Sequence, residues 1–410
     1  MNGPAAACDG GPVPTSPASA PAFVPGSSDT WADPFGMYAE LRTHDPVHHV
    51  AGGDYWVLTR HADVFAAVRD HETFSSAEGL TTTYGELDAI GMRDNPPMVM
   101  TDPPSHTEFR RLVSRGFTPR HVEAVEPAVR AFVTERLESI ISAGGGDIVE
   151  LLFKPLPSMV VAHYLGVPPT DHERFDRWTE AIVAANATGD PAGVADAVGD
   201  LLGYFTELIE HRRDHPADDT VSHLVAAGEA DDDAGILRVL AFTFTMVTGG
   251  NDTTTGLLGG AVQLLAARPD QRNIALDDAR ATVEELLRLT SPVQGLCRTT
   301  TRDVTLHDTT IPSGRKVLLC YGAANRDVDA YGPDAEQLDV TRDPRHVLTF
   351  AHGAHHCLGA AAARMMGRVT LEELLTRIPD FAVDHDAVTW ADGAYVRRPT
   401  RVPFTVLGTG

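Results

Sequence analysis

The pattern of hydrophobic and polar positions predicts helices over most of this chain. Apolar residues dominate positions 237–247, and residues 282–289 have the spacing of a helix. Residues 358–377 contain a run of alanines at 360–363, which are the best helix formers, and continue with leucines that can form one apolar stripe. Each of these segments is expected to be helical.

Strand patterns are few and short. Residues rich in β-branched and apolar types cluster near 54–58, 304–306 and 316–320 and near the C-terminus. The whole pattern therefore predicts a mainly α protein with small β-sheets, which is an α+β fold in which helices dominate.

The first thirty residues differ in composition from the rest. Residues 1–30 are rich in Pro, Ala, Gly and Ser, and no Lys or Arg precedes Arg42. Because a signal peptide needs a basic start and an apolar stretch, we expect a disordered tail instead. No internal repeat is visible. On length alone 410 residues could form two domains, but single folds of this size exist, and we expect one domain over residues 31–410.

Composition and charge narrow the classes of function. The chain has 33 Lys and Arg against 57 Asp and Glu, a formal net charge of −24. Since nucleic-acid binding relies on basic surface, we expect no nucleic-acid partner. No apolar run reaches the length of about 18 residues that suggests a membrane span, so no membrane anchor is expected. Four irregularly spaced cysteines suggest no disulfide framework, which fits a cytoplasmic protein.

One loop carries the most informative chemistry. Residues 350–359 have the sequence Phe-Ala-His-Gly-Ala-His-His-Cys-Leu-Gly and deliver Cys357 to the start of an alanine-rich helix. A helix N-terminus offers unpaired N–H groups and partial positive charge, which favour the thiolate that ligates metals. Gly353 and Gly359 lack a Cβ, so the backbone can turn sharply and approach a flat cofactor. The loop indicates a metal-thiolate site.

Three other interpretations of the loop stay open from its residues alone. His352, His355, His356 and Cys357 could ligate zinc, although no second ligand pair follows, as structural zinc sites usually require. Cys357 could be a nucleophile with a histidine base. It could also be a buried, inert cysteine at a tight turn.

The order Phe-x-x-Gly-x-His-x-Cys-x-Gly resembles the haem-binding loop of the cytochromes P450, in which the cysteine is the axial thiolate of the haem iron. The resemblance implies the P450 fold, with haem b (iron protoporphyrin IX) between a long distal helix and the Cys357 loop. It implies that Cys357 is the metal ligand and that Phe350, Gly353 and Gly359 help to bind the cofactor.

A second informative segment is Gly249-Gly250-Asn251-Asp252-Thr253-Thr254. It could be a loop between two helices, with Asp252 or Thr253 capping the second helix. It also resembles the family's acid–alcohol pair, which lies within one long helix on the distal side of the haem. By that resemblance, Asp252 and Thr253 are catalytic residues that deliver protons to dioxygen.

Two more sets of residues match the family. Glu285 and Arg288, three apart, resemble its buried structural ion pair, although most such pairs elsewhere are solvated. The haem's two carboxylates need neutralising when buried. The resemblance assigns that role to His106, Arg110, Arg298 and His355.

The resemblance extends from about residue 33 to residue 404, with local departures. Ala351 stands where the family usually has glycine, His356 where an apolar residue is common, and Met366 where glutamate is frequent. An imidazole beside the ligand could alter hydrogen bonding at the sulfur and hence redox tuning.

The implied activity is monooxygenation. Electrons from NAD(P)H would pass through ferredoxin reductase and ferredoxin, and one atom of O2 would enter a lipophilic small molecule that is steroid-, terpenoid-, polyketide- or fatty-acid-like. A peroxygenase and a non-catalytic haem sensor or carrier are the alternatives, and a monomer is expected. The loop 78–100 should cover the substrate pocket. By alignment with the family, the residues expected to line this pocket are Thr245, Thr248, Gly249, Val293, Leu296, Ala394 and Tyr395.

Five arginines stand out against the acidic background, because the family places their segments around the cysteine side of the haem. Opposite charge would favour docking of an acidic ferredoxin there. These are Arg111, Arg115, Arg120, Arg345 and Arg364.

Overall fold

A computed structural model describes residues 22–188 and 195–410. Helices account for most of this part of the chain, and the strands are short. The helices are α1 (Ser28–Ala32), α2 (Phe35–His44), α3 (His61–Ala67), α4 (Glu86–Ala89), α5 (Ser105–Val113), α6 (Pro119–Ala143), α7 (Pro155–Leu165), α8 (His172–Thr188), α9 (Ala195–Asp214), α10 (Thr220–Ala226), α11 (Asp233–Ala267), α12 (Pro269–Arg272), α13 (Ala279–Thr290), α14 (Tyr321–Ala324), α15 (Val328–Tyr331) and α16 (Ala360–Arg377).

The strands form four small sheets. The largest has the order β1-β2-β8-β5-β3, in which β2 and β8 are parallel and the other neighbours antiparallel. A second sheet has the order β4-β12-β9, and β6-β7 and β10-β11 are two-stranded. The strands are β1 (Val47–Val50), β2 (Tyr55–Leu58), β3 (Phe74–Ser75), β4 (Gly145–Asp147), β5 (Leu296–Thr300), β6 (Val304–Leu306), β7 (Thr309–Ile311), β8 (Lys316–Leu319), β9 (Asp380–Val383), β10 (Thr389–Trp390), β11 (Pro399–Arg401) and β12 (Pro403–Gly408).

The predicted fold class is confirmed, since helices dominate and the sheets are small. Residues 1–21 of the predicted tail lie outside the described residues. Phe23 is buried, however, and α1 already begins at Ser28, so ordered structure starts before residue 31. Within residues 22–188 and 195–410, no helix is both long and apolar enough to cross a membrane.

The longest helix, α11, contains the whole 249–254 segment. Its first turn is capped by Asp232, whose side chain accepts a hydrogen bond from the backbone N–H of Gly235 at 2.7 Å. Gly250 permits close packing against α7, because a Cβ there would lie 2.7 Å from Cγ2 of Val161. The helix therefore continues through both glycines, and the interpretation of this segment as a loop is wrong.

Helices α6, α11, α13 and α16 pack around one hydrophobic core, which fixes the helix that follows the Cys357 loop. Val129 and Val133 of α6 are fully buried in this core, as is Val369 of α16. Burying such side chains contributes roughly 1.5–3 kcal/mol each. The loop therefore begins and ends on rigid structure.

The Glu285–Arg288 pair lies on α13 and is completely buried. The guanidinium donates two hydrogen bonds to the carboxylate, at 2.7 and 2.8 Å, and both side chains have 0% exposure. Nη1 of Arg288 also donates to the carbonyls of Asn325 and Ala335 at 2.7 Å. The pair therefore ties α13 to the chain that leads from α14 towards the Cys357 loop.

We expect Glu285→Gln to destabilise the protein by about 3–5 kcal/mol, because it leaves the Arg288 cation buried without its partner. The matched control is Glu284→Gln, since Glu284 is 30% exposed in its pair with Arg364. Its loss should cost under about 1 kcal/mol. Urea unfolding measures both values, and equal losses would contradict a structural role specific to Glu285.

Candidate active site

The Cys357 loop is shaped by backbone constraints. It follows a 3-10 turn at Leu348–Phe350, and the N–H of Cys357 donates to the carbonyl of Phe350 at 2.9 Å. Gly353 has a φ of +73°, and a Cβ there would lie 3.0 Å from the carbonyl oxygen of Val68. Glycine is thus required at this turn, which sets the approach to α16.

Opposing effects act on the pKa of the Cys357 thiol. Its side chain is open to solvent, yet protein surrounds the sulfur closely enough for burial to raise the pKa. Hydrogen bonds from Gly359 and Ala360 and the charges of Arg110 and Arg364 act in the opposite direction. Burial is the larger effect, so the pKa of the thiol is raised overall, and a metal ion bound at the sulfur would favour the thiolate.

A cluster of basic side chains surrounds the loop. The rings of His106 and His355 lie 4.1 Å apart between centroids. Both ring nitrogens of His106 and Nε2 of His355 are buried without a hydrogen-bond partner among the described residues. Burial, with the nearby charges of Arg298, His106 and Arg110, lowers the pKa of His355 to about 3. Both imidazoles are thus placed to donate a hydrogen bond as neutral groups.

The two arginines of this cluster lack acidic partners. Nη1 of Arg298 donates to the carbonyl of Cys297 at 2.7 Å, and Nη2 of Arg110 donates to the carbonyl of His356. Within residues 22–188 and 195–410, neither guanidinium makes a salt bridge, although Arg298 is only 4% exposed. Buried cations without anions are costly. The donor set therefore fits a ligand that brings its own carboxylates, as haem does.

The middle of α11 faces open space. Residues 239–243 and 254–262 are buried, whereas Thr245 and Thr248 are half-buried and Gly249 is exposed. A Cβ at Gly249 would meet no atom within 4 Å, and the same holds for Gly359. The accessible positions Thr245, Thr248 and Gly249 are thus flanked by buried residues on either side along α11, and this part of the helix leaves room for a flat cofactor and a small substrate.

Three threonines of this region use their hydroxyl protons within α11. Thr245, Thr248 and Thr253 donate to the carbonyls four residues earlier, at 2.7, 3.1 and 2.8 Å. Such back-bonding leaves the oxygen free to accept a hydrogen bond.

Asp252 has a partner that the sequence did not suggest. Its Oδ1 lies 2.8 Å from Nε of Arg398, just before β11, and both side chains are largely buried. Burial raises the pKa of Asp252 to about 6, although the Arg398 charge and hydrogen bond oppose the shift. A carboxyl group with this pKa can bind and release protons near neutral pH.

The other predicted pocket residues come from two segments. Val293 pairs with Val396 in an isolated antiparallel bridge, and Leu296 begins β5. Ala394 is exposed and Tyr395 half-buried. Burial raises the pKa of Tyr395, with Glu86 and Asp252 as the nearby charges. This places Tyr395 near the α11 acid and near the 78–100 loop that was expected to cover the pocket.

The zinc interpretation has no geometric support. The described part of the chain contains no group of three or more His, Cys, Asp or Glu side chains arranged to hold a metal ion. A single thiolate that ligates an iron already held by a porphyrin does not need such a group.

The three departures from the family pattern have different environments. Ala351 adopts φ +51° and ψ −171°, a region used almost only by glycine. His356 is half-buried, which lowers its pKa, with Arg364 contributing. Met366 is buried in the hydrophobic core of α16.

Known proteins match this chain closely. A family model for Cytochrome P450 matches residues 276–385. Cytochrome P450 130 of Mycobacterium tuberculosis is 66% identical over 395 residues, covering 94% of this chain and 98% of the relative. The vitamin D(3) 25-hydroxylase of Pseudonocardia autotrophica is 35% identical, covering 93% and 95%. The structure of CYP109E1 from Bacillus megaterium in complex with testosterone has a TM-score of 0.81 at 29% identity, covering 92% and 100%.

Fold and matches together define a helix-rich P450 architecture. The chain belongs to the cytochrome P450 family. It is a P450 monooxygenase, and membership implies a haem cofactor, O2 as substrate and redox partners.

Ala351→Gly is expected to stabilise the protein by about 0.5–2 kcal/mol, because relief of roughly 1–3 kcal/mol of backbone strain exceeds the added chain entropy of glycine. Ala354→Gly is the matched control, since Ala354 has no positive φ. It should lose about 0.5–1 kcal/mol. Thermal unfolding compares the two, and destabilisation by both variants would show that Ala351 is not strained.

Proposed function

We propose that this P450 takes electrons from a ferredoxin-type donor, supplied by NAD(P)H through a ferredoxin reductase, and inserts one oxygen atom of O2 into a lipophilic small molecule. The observation that carries the proposal is the convergence of Cys357 with buried basic groups that have no acidic partner in the described chain. This arrangement suits haem b.

In this proposal each side chain of the site has a distinct role. Cys357 ligates the iron, and Arg110, Arg298, His106 and His355 hold the two carboxylates. Phe350, Gly353 and Gly359 shape the loop against the ring, and the guanidinium of Arg364 lies over Phe350, 4.6 Å from its ring centroid. Bound haem supplies the activation of O2, with the thiolate donating electron density.

Asp252 and Thr253 are proposed to deliver protons. A pKa of about 6 keeps part of the Asp252 population protonated at neutral pH, so the group can donate and be recharged. The protonated fraction falls as the pH rises above 6. The hydroxyl oxygen of Thr253 can accept a hydrogen bond from Asp252, or from water between them, while its own proton is held by the Gly249 carbonyl.

The substrate is proposed to be a steroid-, terpenoid-, polyketide- or fatty-acid-like molecule. Support comes from the partly apolar set of predicted pocket residues and from relatives whose names or structures include vitamin D(3) and testosterone. Because Thr245 and Thr248 donate their protons within α11, they can only accept from a substrate. A substrate hydroxyl group would suit them.

A ferredoxin is proposed to dock on the arginine face defined by Arg111, Arg115, Arg120, Arg345 and Arg364. Arg111, Arg115 and Arg120 are exposed and make no salt bridge within the described residues, so their charges are available. Arg345 is 83% exposed with Asp343 at 3.7 Å, whereas Arg364 is paired with Glu284. The first three therefore contribute most to the proposed docking.

The remaining proposals concern the oligomeric state and the cellular location of the protein. Cys297, Cys320 and Cys357 are free thiols, which is compatible with a reducing cytoplasm. We also propose a monomer.

Cys357→Ser should abolish the thiolate signature in the reduced carbon-monoxide spectrum and remove NADPH-driven product formation, because a hydroxyl group replaces the thiolate ligand. Cys320→Ala is the matched control, since Cys320 lies outside the loop and is buried in the same hydrophobic cluster as Tyr38. This variant should keep the thiolate signature in the reduced carbon-monoxide spectrum. A folded, haem-supplemented wild-type protein without colour would end the proposal.

Arg115→Ala should slow electron transfer from ferredoxin about three- to ten-fold at low ionic strength and weaken its salt dependence, because steering charge is removed. Arg238→Ala is the control, as Arg238 lies outside the arginine face and is paired with Glu229. Stopped-flow reduction over a salt series gives both quantities. Unchanged salt dependence in Arg111, Arg115 and Arg120 variants would remove the docking proposal.

A further inference from the structure

A cavity of about 210 Å³, lined mainly by residues with polar or charged side chains, lies along α11 beside Asp252. It is enclosed by the turn Val149–Phe153, by α7 and α8, and by the segment around β11. Glu150 and Glu180 line it and are 63% and 51% exposed, so the cavity reaches the protein surface. Its inner part is lined by Ser158, Asp176, Thr179, Asn251, Asp252 and Arg398.

Two deeply buried polar atoms of this lining lack hydrogen-bond partners within the described chain. They are Oγ1 of Thr179, whose residue is 4% exposed, and Oδ1 of Asn251, whose residue is 5% exposed. Nδ2 of Asn251 donates to the carbonyl of Val247 at 2.7 Å, which fixes the amide orientation. Because buried polar atoms are nearly always hydrogen-bonded, this lining suits ordered water.

A second carboxyl group, Asp176 of α8, lines the same cavity. It accepts a hydrogen bond from Oγ of Ser158. Burial raises the pKa of Asp176, Glu180 adds to the increase, and Ser158, His172 and Arg136 oppose it. Lys154 lies at the rim, 3.0 Å from Glu180. The cavity therefore joins two carboxyl groups, both with raised pKa values, and extends to solvent.

We propose that this cavity is the proton inlet of the enzyme, in which water connects Asp176 to Asp252 and Arg398 acts as a positioning residue for Asp252. The proposal rests on the proposed role of Asp252. A proton enters from bulk water at Asp176 and passes along the water, and Asp252 is recharged after each donation. No electron moves through the cavity, since electrons come from the redox partner.

The test compares two ways of driving the reaction. Asp176→Asn keeps the size of the side chain but cannot exchange a proton. With NADPH, ferredoxin and O2, its product formation should fall roughly 5- to 30-fold, less than the 10²–10⁴ typical of a general acid such as Asp252, because water can partly substitute. With hydrogen peroxide, which brings both protons with the oxidant, the rate should change less than about two-fold.

Glu173→Gln is the matched control, since Glu173 lies on the same helix, is exposed and does not line the cavity. It should behave as wild type in both assays. Thr179→Leu places an apolar side chain in the cavity and should reproduce the Asp176→Asn pattern. Unfolding temperature and the carbon-monoxide spectrum establish that each variant is folded and binds haem.

A second measurement does not depend on turnover. The infrared carboxyl band of Asp252, assigned by its loss in Asp252→Asn, should exchange in D2O at least several-fold more slowly in Thr179→Leu than in wild type. Equal exchange rates, or equal losses in the O2 and peroxide assays of Asp176→Asn, would overturn the inlet. If Asp252→Asn itself keeps full O2-driven activity, the proposed function of Asp252 fails instead.

Discussion

Buried positive charge beside the Cys357 loop is the constraint on which the site depends. Three separate elements bring it there: α5 carries His106 and Arg110, β5 carries Arg298, and the loop carries His355. The protein limits the charge by holding His355 neutral, with a pKa of about 3, while the guanidinium of Arg298 lies in a nearly solvent-free position. A ligand that supplies anions would offset the cost of burying this charge. The framework around it must therefore be rigid.

Rigidity comes from the same elements that bring the charges together. Arg288 of α13 bonds the carbonyl of Asn325, and the side chain of Asn325 accepts from the N–H of Leu348, where the turn into the loop begins. The buried ion pair is thus two hydrogen bonds away from the loop. On the other side, α16 packs against α6 and α13. The position of Cys357 is set by buried contacts at both ends of the loop.

Local features of the sequence predicted much of this arrangement. The helices around 282–289 and 358–377 appear as α13 and α16, and the strand patterns near 54–58, 304–306 and 316–320 correspond to β2, β6 and β8. These succeed because periodicity and propensity act within a few residues. Strand β5 was missed, since Leu-Cys-Arg-Thr-Thr lacks clear alternation and its place in the sheet depends on β8 and β3.

Features that depend on distant contacts could not be predicted. Nothing near Arg398 in the sequence shows that it pairs with Asp252, and nothing near Asp176 shows that α8 and α11 border one cavity. The direction of the Cys357 pKa shift was also beyond the sequence, because it depends on how much protein surrounds the sulfur. The positive φ of Ala351 shows only in the backbone, although the departure from glycine pointed to the position.

Although the chain carries a large negative charge, its arginines differ in whether they are paired with acidic side chains. Between α6 and α16, Arg130 bonds Glu372 and Glu373, and Arg368 bonds Glu126 and Glu372, so these cations are neutralised where they lie. Arg111 lies in α5, Arg115 in the turn that follows it and Arg120 at the start of α6, and none of them makes such a pair within the described residues. In a chain with a net charge of −24, acidic partners are plentiful. Because these three cations are unpaired, they form a local positive surface that the net charge alone would not suggest. Exposed charges are screened beyond a Debye length of about 10 Å, so an approaching protein responds to this local charge more than to the net charge.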